Sequence, residues 1–143
     1  MIRPAKFSDV EKIVQLIRPY IKDFAISPVG EEKFSLAMIT KLLEMQSIKY
    51  FVFEQNDCLV GVIAYKEPAH LIHFFVDQEF QNNGIGRAMW EFVENKIKLE
   101  SSRMTVNSSC YAQSIYEKFG FEPMSTVVED MGLKYIPMQK LYL

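Results

Sequence analysis

Two glycines, Gly84 and Gly86, stand where a strand-like run gives way to a helix-like run, and this junction constrains the fold more than any other feature. The run before it, "HLIHFFV", is rich in aromatic and branched residues and predicts a strand ending at Val76. From Ile85 onward, apolar residues at positions 85, 88, 89, 92, 93 and 97 follow the period of an amphipathic helix. The N–H groups of a helix N-terminus have no partner within the helix, so the junction favours binding of an anion.

The chain before this junction opens with one strand and two helices. "MIRPAKF" predicts a short strand, with Pro4 at an edge or an end. "SDVE" predicts a capping box between Ser8 and Glu11, so that the first helix starts near Asp9. Pro19 should kink or end this helix, and irregular chain is expected as far as residue 30. A second helix is expected at about residues 31–45, with an apolar side formed by Phe34, Met38, Leu42 and Met45.

The remaining runs alternate between strands and helices. "KYFVFE" and "CLVGVIAYKE" predict a hairpin, in which Gly61 marks a bulge or a close approach of the backbone. After the junction helix, "RMTVN" predicts a strand, "SSCYAQSIYEKF" a helix stopped by Gly120, and "FEPMSTVVED" with "KYIPMQKLYL" an antiparallel pair. This order predicts an α/β (α+β) fold, with a mixed, largely antiparallel sheet of about six to seven strands flanked by about four helices.

Length and composition favour a single globular domain over residues 1–143, because 49% of the residues are hydrophobic and can form a core. The formal net charge is −2 and the 16 basic residues are scattered, so no broad positive surface for nucleic acid or an anionic membrane is expected. Two cysteines are too few for a disulfide framework, and no run approaches the ~18 apolar residues of a membrane span. "MIRPAKFSD" lacks the apolar core of a signal peptide, and we expect a cytoplasmic location.

Three kinds of anion-binding loop compete for the glycine pair. A dinucleotide fingerprint needs a third glycine where Met89 stands, and a P-loop needs Lys-Ser/Thr where this chain has Arg87 and Ala88, so both patterns fail. The segment that remains is Gln81-Asn82-Asn83-Gly84-Ile85-Gly86. It resembles the acyl-CoA pyrophosphate loop of the GNAT superfamily of N-acetyltransferases.

A second segment, "VNSSCYAQSIYEKFGF", resembles the Asn-(spacer)-Ala-x-x-x-Tyr-Glu-Lys-x-Gly-Phe signature of the same superfamily. The matching residues are Asn107, Ala112, Tyr116, Glu117, Lys118, Gly120 and Phe121. The spacer between Asn107 and Tyr116 is longer than in the commonest form of this signature and resembles the spacer of one subgroup. Because the predicted order of elements also matches this fold, the resemblance extends over nearly the whole chain, and it is weakest between residues 19 and 35.

The resemblance implies an acetyl-CoA-dependent N-acetyltransferase, which moves the acetyl group directly from the thioester to a primary amine of a small molecule, peptide or protein, without a metal. It implies that Gln81 and the backbone from Asn82 to Arg87 hold the pyrophosphate. The pantetheine arm would be bound by the main chain of the strand and by Asn107. The strand residues are Phe74, Phe75 and Val76. We also expect a homodimer, formed through the sheet edge or the C-terminal strands.

Tyr116 is the candidate general acid, because a phenol with an ordinary pKa near 10 stays protonated at neutral pH and can donate to the leaving thiolate. A packed aromatic on the apolar face of its helix is the alternative. His70 and His73 are candidate bases for the substrate ammonium, and strict alternation would point them to opposite faces of the strand, so that at most one lines the acceptor cleft. Core histidines and ordered water are the alternatives. Cys110 permits an acyl-enzyme, but direct transfer explains the motif without one, and an ordinary buried residue is expected.

The acceptor is the least determined part of the expected site. Tyr20, Phe24, Tyr135 and nearby acids would form an aromatic, mildly acidic pocket for a cationic amine, or they would be ordinary core and surface residues. Two other functions compete with catalysis. One is an acyl-CoA-binding sensor or partner module that is catalytically silent, and the other is a nucleotide- or phosphate-binding protein of a different fold.

Overall fold

The chain is built on a mixed sheet, as seen in a computed structural model that describes residues 1–142. Within this range there are eight strands and five α-helices. The strands are β1 (Ile2–Pro4), β2 (Ile48–Gln55), β3 (Cys58–Lys66), β4 (His70–Val76), β5 (Arg103–Ser108), β6 (Glu122–Pro123), β7 (Val128–Asp130) and β8 (Leu133–Leu141). The helices are α1 (Val10–Ile17), α2 (Pro28–Glu32), α3 (Leu36–Glu44), α4 (Ile85–Ile97) and α5 (Gln113–Lys118). None of these helices combines the length and the apolar character needed to cross a membrane.

The strands lie in the order β1-β2-β3-β4-β5-β8-β6, and β7 pairs with the first part of β8. Among the described strands, every pairing is antiparallel except that of β4 with β5. The prediction of a mixed, largely antiparallel sheet flanked by helices is confirmed. The number of strands reaches eight because β6 and β7 both pair with β8, where the sequence predicted one closing pair.

The hairpin and the glycine junction follow the predictions. β2 and β3 are joined by Asn56 and Asp57, whose φ angles of 52° and 62° suit a tight two-residue hairpin turn. The register of β3 is interrupted next to Gly61, and a Cβ on this glycine would lie 2.5 Å from the end of the Met89 side chain, so the strand approaches α4 closely. α4 begins at Ile85, directly after the glycine loop.

Helices cover both faces of the sheet. α4 and α5 pack on one face, around Met89 and Trp90, and α1 and α3 pack on the other, around Ile13 and Ile39. Ile13, Ile39 and Met89 are fully buried. The central strands β3 and β4 are therefore covered on both sides, which explains why their sequences are almost continuously apolar.

The middle of the sheet opens between β4 and β5. These strands pair at only two positions, His70 with Thr105 and Leu71 with Val106. Beyond these pairs β5 follows β8, whereas β4 follows β3. The two strands therefore diverge and leave a gap, here called the β4–β5 gap, along which β4 has no strand partner within the described residues.

The predicted capping box of the first helix is wrong. The cap forms earlier in the chain, where the Asp9 carboxylate accepts the Lys6 N–H at 2.7 Å. The same carboxylate pairs with Arg3 at 2.8 Å. Because Arg3 supplies a charged partner from β1, the acid at position 9 makes the cap in place of the Ser8–Glu11 pair.

The predicted helix at residues 31–45 is divided in two. α2 begins at Pro28, a residue suited to the first turn of a helix, so the chain before residue 30 is not all irregular. α3 begins after Ser35, whose hydroxyl accepts the Met38 N–H at 3.2 Å. A cap at Ser35 starts a new helix at that point and prevents one continuous helix from running through it. α1 ends at Ile17, before Pro19, as predicted.

Residues 24–34, here called the roof segment, are fastened to the turn between β7 and β8. The Ile26 N–H donates to the Gly132 carbonyl at 2.9 Å. Gly30 lies so close to Gly132 that a Cβ on Gly30 would stand 1.9 Å from the Gly132 oxygen. This contact brings two segments together that are far apart in sequence, and it holds the roof segment over the start of β8.

Candidate active site

Two cavities adjoin the β4–β5 gap. One, of about 480 Å³, lies between the glycine loop and α5 and is here called the loop cavity. The other, of about 360 Å³, lies beneath the roof segment and α3 and is here called the roof cavity. Both are lined by Phe24, Ile72, Phe75 and Asn107. The cavities therefore meet along these four residues.

The first turn of α4 faces the loop cavity. Gly84 precedes the helix with φ 81°, a left-handed conformation that favours glycine. A Cβ on Gly84 would meet no atom within 4 Å, and one on Gly86 would first meet Val76 at 3.6 Å. The space in front of the helix is therefore open. Its free N–H groups and partial positive charge suit a phosphate group.

The other loop residues divide between the cavity and the protein. Asn82 and Arg87 line the loop cavity. Asn83 is exposed, and its side-chain amide donates to the Phe80 carbonyl at 3.4 Å. Ile85 is buried in the core beneath α4, so its side chain anchors the helix while its N–H belongs to the free first turn.

A chain of hydrogen bonds closes one end of the loop cavity. The Gln81 side-chain amide donates to the Tyr20 hydroxyl, which itself donates to the Val76 carbonyl. Burial raises the pKa of Tyr20, which keeps the hydroxyl protonated. Gln81 and Tyr20 both line the cavity, and together they tie the turn after α1 to the end of β4.

The direction of the backbone groups decides which residues of β4 face the gap. The Asp77 N–H donates to the Val60 carbonyl of β3 at 2.8 Å. Since backbone groups alternate in direction along a strand, those of Phe75 also face β3, and those of Phe74 and Val76 face the β4–β5 gap. Phe74 and Val76 thus present main-chain groups to the loop cavity, whereas Phe75 presents its side chain to both cavities.

Tyr116 lies on α5 with only 6% of its surface exposed. Its ring packs edge-on against Phe121 and Phe74, at centroid distances of 5.5 and 6.3 Å. No buried side-chain oxygen in the described residues lacks a hydrogen-bond partner, and Tyr116 lines the loop cavity, so its unbonded hydroxyl reaches the cavity surface. Burial raises the pKa of Tyr116 well above its ordinary value, and the phenol is protonated at neutral pH.

Asn107 alone contributes a polar side chain among the four residues that the cavities share. It lies in β5 opposite Pro137, directly after the last residue that pairs with β4. Asn107 is exposed, so its amide is available to a molecule in either cavity.

The roof cavity has mostly apolar walls. The four residues predicted as the apolar side of the second helix, Phe34, Met38, Leu42 and Met45, all line this cavity. β8 contributes Tyr135 from the opposite side. The apolar side of the helix thus forms a cavity wall and not only a part of the core.

Both histidines of β4 line the roof cavity, so the prediction that they face opposite sides is wrong. The cause is a bulge. His73 and Leu71 pair with adjacent residues of β3, which leaves Ile72 without a partner. An extra residue in one strand shifts the alternation of the side chains. Leu71 therefore packs in the core beneath α4, while His70 and His73 come to the same side.

His73 is 7% exposed, and its Nδ1 lies 2.8 Å from the Tyr50 hydroxyl. Its ring stacks on Phe34 at a centroid distance of 5.9 Å. The buried Tyr50 hydroxyl has no other partner among the described residues, so we assign it as the donor to Nδ1, which leaves the proton of His73 on Nε2. Burial lowers the pKa of His73 to about 4. His73 is therefore neutral near pH 7 and presents an N–H to the roof cavity.

His70 is half-buried, and its Nδ1 lies 2.7 Å from the Thr105 hydroxyl. A threonine hydroxyl can donate or accept, so His70 can hold its proton on either nitrogen. Burial and then the positive charge of Lys66 lower the pKa of His70. This histidine is also neutral near pH 7, and its Nε2 can be a free base.

The charged residues that line the roof cavity are Lys33 and Lys66. Its described lining holds no Asp or Glu, and neither lysine forms an ion pair within residues 1–142. Of the residues expected around a cationic amine, Phe24 and Tyr135 line the roof cavity, whereas Tyr20 lines the loop cavity together with Asp23. The described lining of the roof cavity itself is not acidic.

Sequence reasoning missed three groups of the roof cavity and its support: Tyr50, Thr105 and the two lysines. Tyr50 lies on the inward-facing side of β2, a sequence signal for burial but not for a bond to His73. Cys110 is exposed, contrary to expectation, and lines neither cavity.

Comparison with known proteins identifies the fold and the family. The sequence matches the acetyltransferase (GNAT) domain over residues 22–142, and no curated protein matches it. The PaiA N-acetyltransferase from Thermoplasma acidophilum, solved with coenzyme A, has a TM-score of 0.78 at 19% identity, covering 99% of this chain and 98% of that one. The ribosomal-protein-S18-alanine N-acetyltransferase from Escherichia coli has a TM-score of 0.72 at 16% identity, covering 100% and 94%. An aminoglycoside 6′-N-acetyltransferase complexed with coenzyme A has a TM-score of 0.74 at 12% identity, covering 100% and 97%.

Proposed function

This chain belongs to the GNAT acetyltransferase family, and on that basis we propose that it is an acetyl-CoA-dependent N-acetyltransferase acting on a primary amine. The observation that carries the proposal is the meeting of two cavities at the β4–β5 gap. The loop cavity offers a helix N-terminus and the Tyr116 phenol, and the roof cavity offers neutral histidines. An acyl donor in one and an amine in the other would come together beside Ile72 and Asn107.

We assign the loop cavity to acetyl-CoA. The free N–H groups in the first turn of α4 and the Arg87 guanidinium would hold the pyrophosphate. The open space at Gly84 and Gly86 supports this assignment, because a side chain there would stand between the backbone and the phosphates. The pantetheine arm would bind as a short added strand along β4, to the outward-facing N–H and carbonyl of Phe74 and to the N–H of Val76, whose carbonyl already accepts from Tyr20. Asn107 would bond to the same arm.

The proposed reaction is a direct transfer. The neutral amine nitrogen attacks the thioester carbonyl carbon, a C–N bond forms, and the C–S bond breaks. The original ammonium loses one proton before the attack and a second after it. One of these balances the proton supplied to the departing thiolate, and the other is released to solvent. A backbone N–H of β4 that faces the gap would stabilise the negative oxygen of the tetrahedral intermediate.

Tyr116 is the proposed source of the thiolate proton. Its hydroxyl has no bond to another described residue, and its raised pKa keeps it protonated. A purely structural role would not need the hydroxyl, because the ring contacts with Phe74 and Phe121 would be kept by phenylalanine.

His70 is the proposed proton acceptor, directly or through water. His73 is unsuited because its Nδ1 accepts from Tyr50, its Nε2 carries the proton, and its pKa is about 4. His70 can leave its Nε2 free by donating from Nδ1 to Thr105. The part of the acid-side fall of kcat/KM that His70 causes should therefore disappear in His70→Gln and persist in His73→Gln, while the part caused by protonation of the free amine is common to both variants. The reverse pattern would assign the base to His73.

The test of the proposed function is thiol release from acetyl-CoA over a panel of amines, with the wild type and Tyr116→Phe compared. General acid catalysis contributes about 100-fold or more, so kcat should fall about 100-fold in the variant. Acetyl-CoA affinity, measured by calorimetry, should stay within about twofold, since the ring is retained.

Other outcomes would contradict the proposal in distinct ways. An unchanged kcat in Tyr116→Phe would remove Tyr116 from the mechanism while leaving the acetyltransferase in place. A wild type that binds acetyl-CoA but acetylates no amine of the panel would favour a catalytically silent acyl-CoA-binding module. A wild type that does not bind acetyl-CoA would overturn both.

A further inference from the structure

The lining of the roof cavity points to the kind of amine that it accepts, and this inference rests on the proposed function because it takes the roof cavity as the acceptor site. We propose that the acceptor is a small amine with an apolar body and a carboxylate, of the chemical class of the hydrophobic amino acids. Polyamines and aminoglycosides are excluded by the same lining.

The first argument for this class of acceptor is the charge of the cavity lining. Lys33 and Lys66 both line it, Lys33 half-buried and Lys66 exposed, and within residues 1–142 no carboxylate lies within ion-pair distance of either. A carboxylate entering the cavity gains two positive partners. A polycation would meet two like charges and, in the described lining, no acid to replace its hydration, and like charges brought together disfavour binding.

The second argument is the hydrogen-bonding capacity of the side chains that line the cavity. The Lys33 and Lys66 ammonium groups only donate, and Tyr50 holds His73 in the form that donates from Nε2. The other polar side chains, those of His70, Asn107 and Tyr135, can accept as well as donate, so they suit either ligand. The side chains that can only donate a hydrogen bond therefore favour a ligand that carries a hydrogen-bond acceptor. A carboxylate is an acceptor at both oxygens, whereas a protonated polyamine only donates.

The third argument is the apolar character of the cavity walls. Phe34, Met38, Leu42 and Met45 line one side of a cavity of about 360 Å³. This volume is near the lower end of the range for pockets that hold small molecules. Methionine side chains adapt to differently shaped apolar groups, so the cavity suits branched and aromatic side chains alike.

The positive cavity also favours the reactive form of the amine. A nearby positive charge disfavours an ammonium group, as Lys66 does for the charged form of His70. The carboxylate would supply the binding energy, while the same lysines would raise the fraction of neutral amine available for attack.

The experiment uses ligands of matched shape. Phenylalanine is compared with phenylalaninamide, which keeps the side chain and the α-amine but lacks the carboxylate and also represents a peptide N-terminus. Leucine with leucinamide forms a second pair, and spermidine represents polycations. Dissociation constants are measured by calorimetry in the presence of coenzyme A, and KM and kcat by thiol release. The amino acids should bind about tenfold or more tightly than their amides, and spermidine should not compete with them.

A charge-reversed protein and a matched control locate the effect. The double variant Lys33→Glu with Lys66→Glu should abolish the preference for the acid over the amide. Lys41→Glu reverses an exposed charge on α3 that lies outside the cavity lining, so it should keep the preference. A preference that the double variant retains, or that Lys41→Glu loses equally, would overturn the assignment to the two lysines.

The outcomes also separate this inference from the proposed function. Amides or spermidine that bind or react at least as well as the amino acids would overturn the acceptor class and leave the acetyltransferase intact. Amino acids that fail to bind at all would do the same. Loss of acetyl-CoA binding in the wild type would instead overturn the proposed function, and it is measured in a separate titration.

Discussion

The loop cavity and the roof cavity are of comparable size, about 480 and 360 Å³, but their residues come from the sequence in different ways. The loop cavity takes most of its lining from two continuous segments, 72–87 and 106–119. The roof cavity also draws much of its lining from two segments, 33–48 and 66–75, but its polar side chains are spread over several elements, with Lys33 near the end of the roof segment, both histidines in β4 and Tyr135 in β8. Glycines and a tyrosine at fixed short spacings form a motif that can be recognised in the sequence, whereas polar side chains spread over separate elements do not.

The two cavities also differ in the groups that they present. The loop cavity presents backbone N–H groups with open space in front of them. The direction of the strand and the positions of the glycines set this arrangement, and the identity of other side chains matters little. The roof cavity presents charged and hydrogen-bonding side chains whose roles depend on their neighbours, as His73 depends on Tyr50. A substitution that fills the space in front of the α4 backbone should therefore weaken cofactor binding. A substitution that changes the charge of a roof-cavity side chain should instead change which amine is accepted. The following predictions test this difference, beginning with the largest effect.

Gly84→Asp should damage the loop cavity most. The new carboxylate would stand at the entrance to the first turn of α4, where we place the pyrophosphate, and like charges in contact cost several kcal/mol. Acetyl-CoA affinity measured by calorimetry should fall about 100-fold or more. Gly84→Asn is the matched control, because asparagine has the same shape, tolerates the φ of 81°, and has no charge. Equal affinity in the Asp variant and the wild type would show that the pyrophosphate binds elsewhere.

His73 should make stability depend on pH. Its pKa is about 4 in the folded protein, below the ordinary value near 6.5, so the unfolded chain binds more protons between these values. The free energy of unfolding should therefore fall as pH drops from about 6.5 to about 4, by roughly 2–3 kcal/mol.

The His73→Gln variant isolates this effect, since His70 and the carboxylates titrate in both proteins. Urea unfolding at several pH values should give a shallower pH dependence for the variant in this window. The Asp9 carboxylate, whose pKa is lowered by Arg3, loses its contribution at lower pH than His73 does. Parallel curves for the two proteins would mean that His73 is not buried in its neutral form.

Gly30→Ala should loosen the roof segment while leaving the glycine loop and the first turn of α4 in place. A Cβ at residue 30 would stand 1.9 Å from the Gly132 oxygen, so the roof segment or the β7–β8 turn must move. Overpacking of this kind costs about 1–3 kcal/mol, measurable as a lower urea midpoint. KM for the amine should rise, while acetyl-CoA affinity should not change. Val29→Ala, at an exposed position of α2, is the control, and a loss as large as that of Gly30→Ala would refute the close-contact explanation.

Cys110→Ser should have the smallest effect. Cys110 is exposed and lines neither cavity, so direct transfer predicts a change in kcat of less than about twofold. An acyl-enzyme on this thiol would instead be abolished by the change. Thiol release under saturating acetyl-CoA distinguishes the two, and strong inactivation of a folded Ser variant would favour the covalent route.

Local patterns were enough to predict most of the sheet and the junction at its centre. The apolar period from Ile85, the glycines before it and the runs on either side depend on neighbours a few residues apart, and α4 and β4 follow them. The failures occur where a distant partner competes with the local signal. The Ser8–Glu11 capping box does not form, and Asp9 makes the cap instead, because Arg3 of β1 supplies a charged partner for its carboxylate. The histidine prediction failed because an unpaired Ile72 shifts the alternation, and pairing with β3 decides where such a bulge falls.

By itself the sequence determined a strand, a glycine loop and a helix in succession, and a second helix carrying Tyr116, because each depends on short spacings along the chain. Only the tertiary structure decided that His70 and His73 share a cavity, that Tyr50 holds the His73 proton on Nε2, and that two lysines and no described acid line this cavity. Tyr50 and His73 are 23 residues apart, and Gly30 meets Gly132 across most of the chain. Such contacts arise from packing between elements, and no local period in the sequence encodes them.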